Sequence, residues 1–305
     1  MRIDFIDELT HLMEEHDDVV MVTLDIGYSM LETMQKRFPK RFINAGAAEQ
    51  SGVSLASGLA LSGYTVYVFG QAIFVTLRCY EQIRLDVSYQ NVNVKLIGIA
   101  AGFSLDHNGQ SHYALEDVGV MRLLPHMKIY TPGDASEARW VARESYNTKG
   151  PAYIRLTKSQ SPIVHAKPIQ TVSSKGISII QGTTNLIVVA GNMLPVALDV
   201  AKRLQQDRIN IALVSLPIVY PITPAFITYM KTFKHIFSIE EHYDIGGLGS
   251  ILADSMTMHG ARGTLHRYGV SQDTPSVSGK YAYLMEHAGL SADQLYRKIR
   301  KTLKG

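Results

Sequence analysis

The sequence is poor in cysteine, since Cys79 is the only one among 305 residues. A lone cysteine cannot form a disulfide within the chain, so we expect a reducing compartment, the cytoplasm. The first ten residues, MRIDFIDELT, lack the basic stretch and apolar core of a signal peptide. No apolar run reaches the roughly 18 residues that a membrane-spanning helix needs. These absences predict a soluble protein that has no membrane partner.

An excess of charge of either sign is also missing. Lys and Arg total 30 and Asp and Glu total 27, which leaves a net charge of +3. The charges are dispersed along the chain and form no basic patch, so we expect no nucleic-acid partner. What remains is an ordinary globular composition, with 46% hydrophobic and 19% charged residues. The length allows about two domains.

Short β-branched runs alternate with longer amphipathic stretches along the chain. This alternation predicts an α/β fold with two domains, each a mostly parallel sheet covered by helices. The predicted strands are Val19–Leu24, Phe42–Ala45, Val66–Phe69, Val94–Ala100, Ile129–Tyr130, Tyr153–Ile154, Leu186–Ala190, Ile209–Leu216 and His235–Ile239. The predicted helices are Asp4–His16, Glu49–Leu61, Thr76–Tyr89, Leu194–Leu204 and Ala292–Leu303, with one more opening at Gly247.

Two segments have a distinctive composition. Residues 159–176 contain two prolines, scattered Ser and Thr, and no helical periodicity. They indicate a linker at 161–178 between a first domain, 1–160, and a second, 179–305. The helix Glu49–Leu61 is rich in Ala, Gly, Ser and Leu, and Gly63 is placed to end it. Because small residues let another backbone approach closely, we expect this helix at the centre of the structure.

The candidate site begins at Glu49, an acid among small residues at the start of that helix. Taken alone, it is typical of a helix N-terminus, where a carboxylate stabilises free N–H groups and the helix dipole. The surrounding run Asn44-Ala45-Gly46-Ala47-Ala48-Glu49-Gln50, however, resembles the Gly-Ile-Ala-Glu-Gln pattern in the pyrimidine-binding domain of transketolases. Five further resemblances to that family follow in order, namely Phe74–Arg84, Asn108–His112, Ala114–Asp117, Asn147–Pro151 with Ile154-Arg155, and Glu240–His242 with Gly246–Gly249.

The resemblance, which covers nearly the whole chain, implies chemistry with thiamine diphosphate. In the family a carboxyl group with a raised pKa is shared with N1′ of the aminopyrimidine, and burial among Ala and Gly would supply that pKa. Glu49 is predicted to be this catalytic acid, with Gln50 beside it at the cofactor. Phe74 is predicted to stack on the aminopyrimidine. A gapless alignment instead places Ala72 at the family's stacking phenylalanine, and an ordinary core role for Phe74 stays open.

The resemblance also implies substrate contacts in the polar loop around His112. The matching family histidine meets the substrate's oxygen atoms, so His112 is predicted to be catalytic. Asn108 stands in place of an aspartate that binds a sugar hydroxyl, and Gln110 replaces a proline. His107 is a further candidate. The pair of histidines lacks a third ligand, so we expect no zinc site and no metal ligand on this chain.

Three more residues are candidates for ligand contacts. In the family an arginine usually binds the sugar phosphate. Lys158 lies near the matching position of this sequence and would bind the phosphate as a point charge. Asp25 and Ser29, in the loop after the first predicted strand, are candidates for substrate or cofactor contacts. For these two, a turn with local hydrogen bonds is an equally good interpretation.

The family's magnesium motif, Gly-Asp-Gly followed by Asn, is missing. The nearest string, Pro132-Gly133-Asp134, continues into Ala135, and no pyrophosphate-binding domain is present. By the resemblance, the chain is the C-terminal subunit of a split transketolase. A separate N-terminal subunit would hold Mg²⁺ and the pyrophosphate, and the expected assembly is an α2β2 heterotetramer.

The predicted reaction transfers a two-carbon ketol unit from a ketose phosphate to an aldose. Two alternatives within the enzyme class stay open. One is the β subunit of a 2-oxo acid dehydrogenase, and the other is a deoxyxylulose phosphate synthase-like enzyme that uses pyruvate as donor. A third alternative is a non-catalytic interaction subunit, against which the retained Glu49 argues.

Overall fold

Two mostly parallel β-sheets organise the chain. The computed structural model describes residues 1–157, 162–273 and 277–304. The seven-stranded sheet has the order β10-β5-β6-β4-β3-β1-β2, and the five-stranded sheet has the order β12-β11-β8-β9-β7. The strands are β1 Val19–Thr23, β2 Phe42–Asn44, β3 Thr65–Gln71, β4 Val94–Ile99, β5 Lys128–Tyr130, β6 Ala152–Leu156, β7 Ile177–Ile180, β8 Asn185–Val189, β9 Ile211–Ser215, β10 Ile218–Tyr220, β11 His235–Tyr243 and β12 Thr264–Val270.

Helices cover these sheets, and none in the described part of the chain is long and apolar enough to cross a bilayer. They are α1 Arg2–Glu15, α2 Glu32–Arg37, α3 Glu49–Leu61, α4 Tyr80–Gln82, α5 Asp117–Met121, α6 Ala135–Asn147, α7 Leu194–Gln206, α8 Pro224–Met230, α9 Leu248–Met258, α10 Tyr281–His287 and α11 Ala292–Lys304. Every residue of β1, β4, β6, β8 and β9 is buried, as expected for strands between two helical layers. The predicted α/β fold class is confirmed.

The first sheet is not built from the first half of the chain alone. β10, from the second half, pairs antiparallel with β5 at one edge of the seven-stranded sheet. Beside it, the N–H of Thr131 donates to the carbonyl of Pro217 at 2.8 Å. One apolar core joins residues of both halves, such as Val118 and Leu248. The two sheets are therefore packed against each other through a continuous interior.

A helical stretch forms where a helix was predicted over Thr76–Tyr89, and it is π-helical at Phe74–Arg78 and Ile83–Ser88, with α4 between them. The expected position of α3 is wrong. The helix α3 does not lie at the centre. One face packs through Val53 and Ala56, but the opposite face, carrying Gln50, Ser51, Ser54, Leu55, Gly58 and Leu61, is exposed. Its small residues leave room for another backbone, and none of the described residues covers this face.

The linker prediction at 161–178 remains a prediction. Residues 162–176 of the described chain form no helix or strand beyond an isolated bridge between Ser173 and Gly176, and β7 starts at Ile177. Several elements of the structure were not predicted from the sequence, among them α2, α6, α8, α10 and β12.

Candidate functional site

The carboxyl ends of neighbouring parallel strands bring the predicted site residues to one edge of the seven-stranded sheet. Asp25 follows β1, Glu49 follows β2, Phe74 follows β3 and His112 follows β4. The strand order reverses between β1 and β3, because the chain runs from β1 outward to β2 and then back to the other side. Ligands of open α/β sheets bind at such a reversal, outside the carboxyl ends of the strands. This edge is therefore the candidate site.

Glu49, the first residue of α3, pairs with Arg78 at the end of the first π-helical segment. The Nη1 atom of Arg78 donates to Oε1 of Glu49 at 2.8 Å. The Glu49 side chain is only 11% exposed, whereas that of Arg78 is 50% exposed. The predicted catalytic carboxylate is thus shielded from water and held by a cation that reaches it from the solvent side.

Phe74 and His112 adjoin this pair. The guanidinium carbon of Arg78 lies over the Phe74 ring, 4.3 Å from its centroid. The His112 ring meets the Phe74 ring edge-on, with 5.3 Å between centroids. The structure therefore brings three predicted site residues together, with Arg78 in contact with Glu49 and Phe74, and His112 in contact with Phe74. Arg78 was not predicted as a site residue, although its spacing of four residues from Phe74 is a signal that the two share one helical face.

The loop that carries His112 is closed at its base. Gly102 and Ala114 exchange two backbone hydrogen bonds, at 2.9 and 3.1 Å. Within the loop, Ser111 Oγ lies 2.9 Å from His112 Nδ1, a contact that orients the ring and leaves Nε2 for another partner. Gly109 has φ +73°, which a glycine adopts at little cost. The loop thus presents one oriented imidazole beside Phe74.

The other loop candidates face solvent. The side chain of His107 is 69% exposed, and its nearest acidic neighbour is Asp106, 3.7 Å away. Asn108 and Gln110 are exposed as well, as is Gln50 next to Glu49. These side chains are accessible to a ligand, but the described residues give none of them a hydrogen bond or ion pair with Glu49 or His112.

Asp25 lines a neighbouring depression together with Thr23, Tyr28, Glu32 and Asn44, and Ser29 follows Tyr28 in the same loop. The Nδ2 atom of Asn44 donates to Oδ1 of Asp25 at 3.1 Å, and Oδ1 of Asn44 accepts the N–H of Gly46 at 2.9 Å. The loop after β1 is thereby tied to the turn that precedes Glu49. Ser29 instead donates its backbone N–H to Glu32 Oε1 at 2.7 Å. Asp25 is thus connected to the Glu49 segment, while Ser29 stabilises the start of α2.

Two predictions about charged and metal-binding groups remain open. Lys158 lies outside the described residues, so its role as a phosphate ligand stays a prediction. In the described ranges, no group of three or more His, Cys, Asp or Glu side chains is placed to hold a metal ion. The expectation that another chain supplies the metal ligands likewise stays a prediction.

The second half of the chain also contributes to this edge. Glu241 on β11 is buried, and its Oε1 accepts the N–H of Phe103, the residue after Gly102 at the base of the His112 loop, at 2.5 Å. Burial raises the pKa of Glu241, against hydrogen bonds from Asn192, Tyr281 and Phe103 that lower it. Glu241 belongs to one of the matched motifs, but no role was predicted for it, because 138 residues separate it from Phe103.

These features define a two-domain α/β protein with a shielded acid, an aromatic ring and a loop histidine at the carboxyl edge of a parallel sheet. A family model for the pyrimidine binding domain of transketolase matches residues 3–163, and one for the transketolase C-terminal domain matches residues 175–295. The chain therefore belongs to the transketolase family. It holds these two domains of the family, and the resemblance inferred from the motifs is confirmed.

Individual relatives match along almost their full length. An apulose-4-phosphate transketolase subunit of Actinobacillus succinogenes is 34% identical over 280 residues, covering 91% of this chain and 90% of the relative. A "Putative transketolase C-terminal section" of Methanocaldococcus jannaschii is 30% identical over 307 residues, covering 100% and 96%. A solved structure described as "Split gene transketolase, inactive beta4 tetramer" is 30% identical, with a TM-score of 0.90 and coverage of 99% and 98%. These similarities support a transketolase-type role.

Proposed function

We propose that this chain is the C-terminal subunit of a split transketolase. Paired with an N-terminal subunit, it would transfer a two-carbon ketol unit from a ketose phosphate to an aldose acceptor. The observation that carries the proposal is the cluster of Glu49, Phe74 and His112 at the carboxyl edge of the first sheet. The relatives named as a transketolase subunit and as a C-terminal section have nearly the same extent as this chain, which supports a role as one subunit of two.

The residues present fit the aminopyrimidine of thiamine diphosphate. Glu49 offers a shielded carboxylate, and Phe74 offers a ring close enough that one planar cation, the guanidinium of Arg78, contacts both. Bound thiamine diphosphate would supply the nucleophilic carbon that carries the two-carbon unit. Glu49 would bind N1′ and stabilise a proton there, while Phe74 would stack on the ring, with Gln50 beside it.

The substrate would lie between this cluster and the loops around it. His112 would donate a hydrogen bond to an oxygen that gains negative charge during the reaction, because its ring is oriented by Ser111. The exposed loop residues and the depression after β1 would bind the sugar hydroxyl and phosphate groups. We assign this binding to Asn108, His107, Asp25, Ser29 and Lys158.

The partner subunit would cover the exposed face of α3. That face combines small residues with Leu55, which is 41% exposed, and Leu61, which is 67% exposed. Tyr64, close to Leu61 in the chain, is 38% exposed. Such a surface next to Glu49 suits a second subunit that completes the cofactor site. This partner would hold Mg²⁺ and the pyrophosphate, since the chain lacks a Gly-Asp-Gly motif, and we propose an α2β2 assembly.

The test is to co-express the chain with the product of the neighbouring gene and to assay the purified complex with Mg²⁺, thiamine diphosphate and a panel of ketose phosphates and aldoses. We expect ketol transfer by the complex only. Glu49→Gln should reduce kcat by about 10²–10⁴-fold, and Glu286→Gln, an exposed site on α10, should leave it unchanged. Near-normal turnover by Glu49→Gln contradicts the role of Glu49. Pyruvate decarboxylation in place of ketol transfer contradicts the assigned reaction.

A further inference from the structure

The side chain of Arg78 makes the two contacts that the proposed function requires of the aminopyrimidine. Its Nη1 bonds the Glu49 carboxylate at 2.8 Å, and its guanidinium carbon stands 4.3 Å from the centre of the Phe74 ring. A guanidinium is a flat, delocalised cation that both forms charged hydrogen bonds and stacks on aromatic faces. In shape and in hydrogen-bonding capacity it thus resembles an aminopyrimidine protonated at N1′.

We propose that Arg78 is a built-in occupant of the aminopyrimidine position, which thiamine diphosphate must displace in order to bind. This inference rests on the proposed function. The guanidinium of Arg78 occupies Oε1 of Glu49 and one face of the Phe74 ring, so an aminopyrimidine can use that oxygen and that ring face only after Arg78 has moved. In the cofactor-free chain, Arg78 therefore keeps the carboxylate paired and the ring covered.

The solvent exposure of the Glu49 and Arg78 side chains indicates how the displacement would proceed. Glu49 is 11% exposed and is fixed at the start of α3, while Arg78 is 50% exposed at the end of a π-helical segment. The guanidinium can swing into water, where it is well solvated, but the carboxylate has no comparable freedom. The arginine is thus the mobile member of the pair.

The occupant lowers the apparent affinity for the cofactor, because only the fraction of molecules with Arg78 swung away can bind. A half-exposed ion pair and a cation–π contact are each weak interactions. Together they correspond to a reduction in affinity of about 3- to 30-fold. Removing Arg78 should therefore tighten cofactor binding by that factor, whereas a residue that holds the bound cofactor would weaken binding when removed.

The first experiment measures the Kd of thiamine diphosphate, with saturating Mg²⁺, for the complex of this chain with its partner subunit. Arg78→Met keeps an unbranched apolar stem and removes the charge, and we expect its Kd to fall about 3- to 30-fold. Arg78→Lys should give a smaller fall, because an ammonium keeps the charge but loses the flat face. An unchanged or higher Kd for Arg78→Met overturns the proposal.

The chain offers a matched control, Arg84, on the second π-helical segment, Ile83–Ser88. Arg84 also has an acidic neighbour, with 3.8 Å to Glu81, and lies over an aromatic ring, 5.0 Å from the centre of Tyr89. Arg84→Met should leave the Kd unchanged, and a fall equal to that of Arg78→Met would overturn the proposal. In a Glu49→Gln background Arg78 has lost its anionic partner, so adding Arg78→Met should change the Kd by less than in the wild type.

A second experiment needs no cofactor. Nitrogen-15 NMR of the full chain reports whether rotation about the guanidinium bonds of each arginine is slow. We expect slow rotation at Arg78, fast rotation at Arg84, and fast rotation at Arg78 after Glu49→Gln. Fast rotation at Arg78 in the wild type overturns the proposal.

The outcomes separate this inference from the proposed function. If the wild-type complex binds thiamine diphosphate but Arg78→Met does not bind it more tightly, only the occupant role is wrong. If no form of the complex binds thiamine diphosphate, the proposed function is wrong and the occupant role is wrong with it.

Discussion

Glu241 and Phe103, 138 residues apart in sequence, are joined by a hydrogen bond of 2.5 Å from the Phe103 N–H to the Glu241 carboxylate. The other carboxylate oxygen accepts the hydroxyl of Tyr281 at 2.7 Å and also the side-chain amide of Asn192. Tyr281 in turn donates its backbone N–H to Asp106 at 2.9 Å. The second domain thus holds the first part of the loop of His112 at two points, and we assign Glu241 a positioning role.

Glu241→Gln should destabilise the fold by about 1–3 kcal/mol. The amide has the same shape but only one acceptor oxygen, so at least one of the buried donors around it loses its partner. The free energy of unfolding in urea measures the loss. Hydrogen exchange should be faster at Phe103 and the loop that follows, and Glu286→Gln, at an exposed site on α10, should change neither quantity. Unchanged exchange at Phe103 would argue against the positioning role.

A side chain at position 102 should break the hydrogen bond between Phe103 and Glu241 by steric conflict with the Glu241 carboxylate. Gly102 has φ +64°, and a Cβ there would stand 2.2 Å from Glu241 Oε1. Gly260, with φ +65°, has no atom within 4 Å of such a Cβ. Gly260→Ala should therefore reduce the free energy of unfolding by only about 1–2 kcal/mol, through backbone strain. Gly102→Ala should reduce it by clearly more. Equal losses of unfolding free energy in the two variants would show that the loop tolerates displacement of Glu241.

The buried ion pair between Arg155 and Asp117 should be far more sensitive than a surface pair. Their side chains are 5% and 0% exposed, with 2.7 Å between Nε and Oδ2. Arg155→Met leaves the Asp117 charge buried without its cation, and we expect a loss of about 3–5 kcal/mol. Arg203→Met breaks an exposed pair with Asp293 and should cost about 0–1 kcal/mol. Urea unfolding of both variants checks the contrast, and similar losses would contradict it.

The stability of the chain should depend on pH through His165. Burial lowers the pKa of His165, but its hydrogen bond to Glu137, at 2.8 Å, and the charges of Glu137 and Asp134 outweigh this effect and raise the pKa. A raised folded pKa means that the folded chain binds the proton more tightly than the unfolded chain. The resulting stabilisation is fully present below the unfolded pKa of about 6.5 and is lost as the pH rises through the folded pKa.

His165→Gln should therefore reduce the free energy of unfolding by about 1.5–3 kcal/mol at pH 5.5, and by less at pH 9. Urea unfolding at both pH values measures the difference between wild type and variant. His11→Gln, on the exposed face of α1, serves as the control. A difference that is the same at the two pH values would mean that the charge of His165 does not contribute.

The sequence predicted those parts of the fold and the site that depend on local patterns. Strands such as Val19–Thr23 and helices such as Glu49–Leu61 follow from β-branched runs and from periodicity. Glu49, Phe74 and His112 follow from motifs, and the sheet edge brings them together because each lies beyond the end of a parallel strand. Their assigned roles remain predictions.

What the sequence could not predict depends on contacts between residues that are distant in the chain. The contact of Glu241 with Phe103 requires the packing of both domains. The exposure of α3 was not predicted, because its small residues indicate only that another backbone can approach closely. They do not indicate whether that backbone belongs to the same chain. Arg78 was passed over because its importance comes from the ring and the carboxylate that it touches at once.

The strand β10 has a consequence for any attempt to dissect the chain. It adds residues 218–220, which lie inside the C-terminal match, to the edge of a sheet whose other six strands lie within residues 3–163. A fragment that ends at residue 163 would leave β5 with bare N–H and C=O groups, and such open edges recruit strands from other molecules. We therefore expect the first sequence module to aggregate when it is expressed alone.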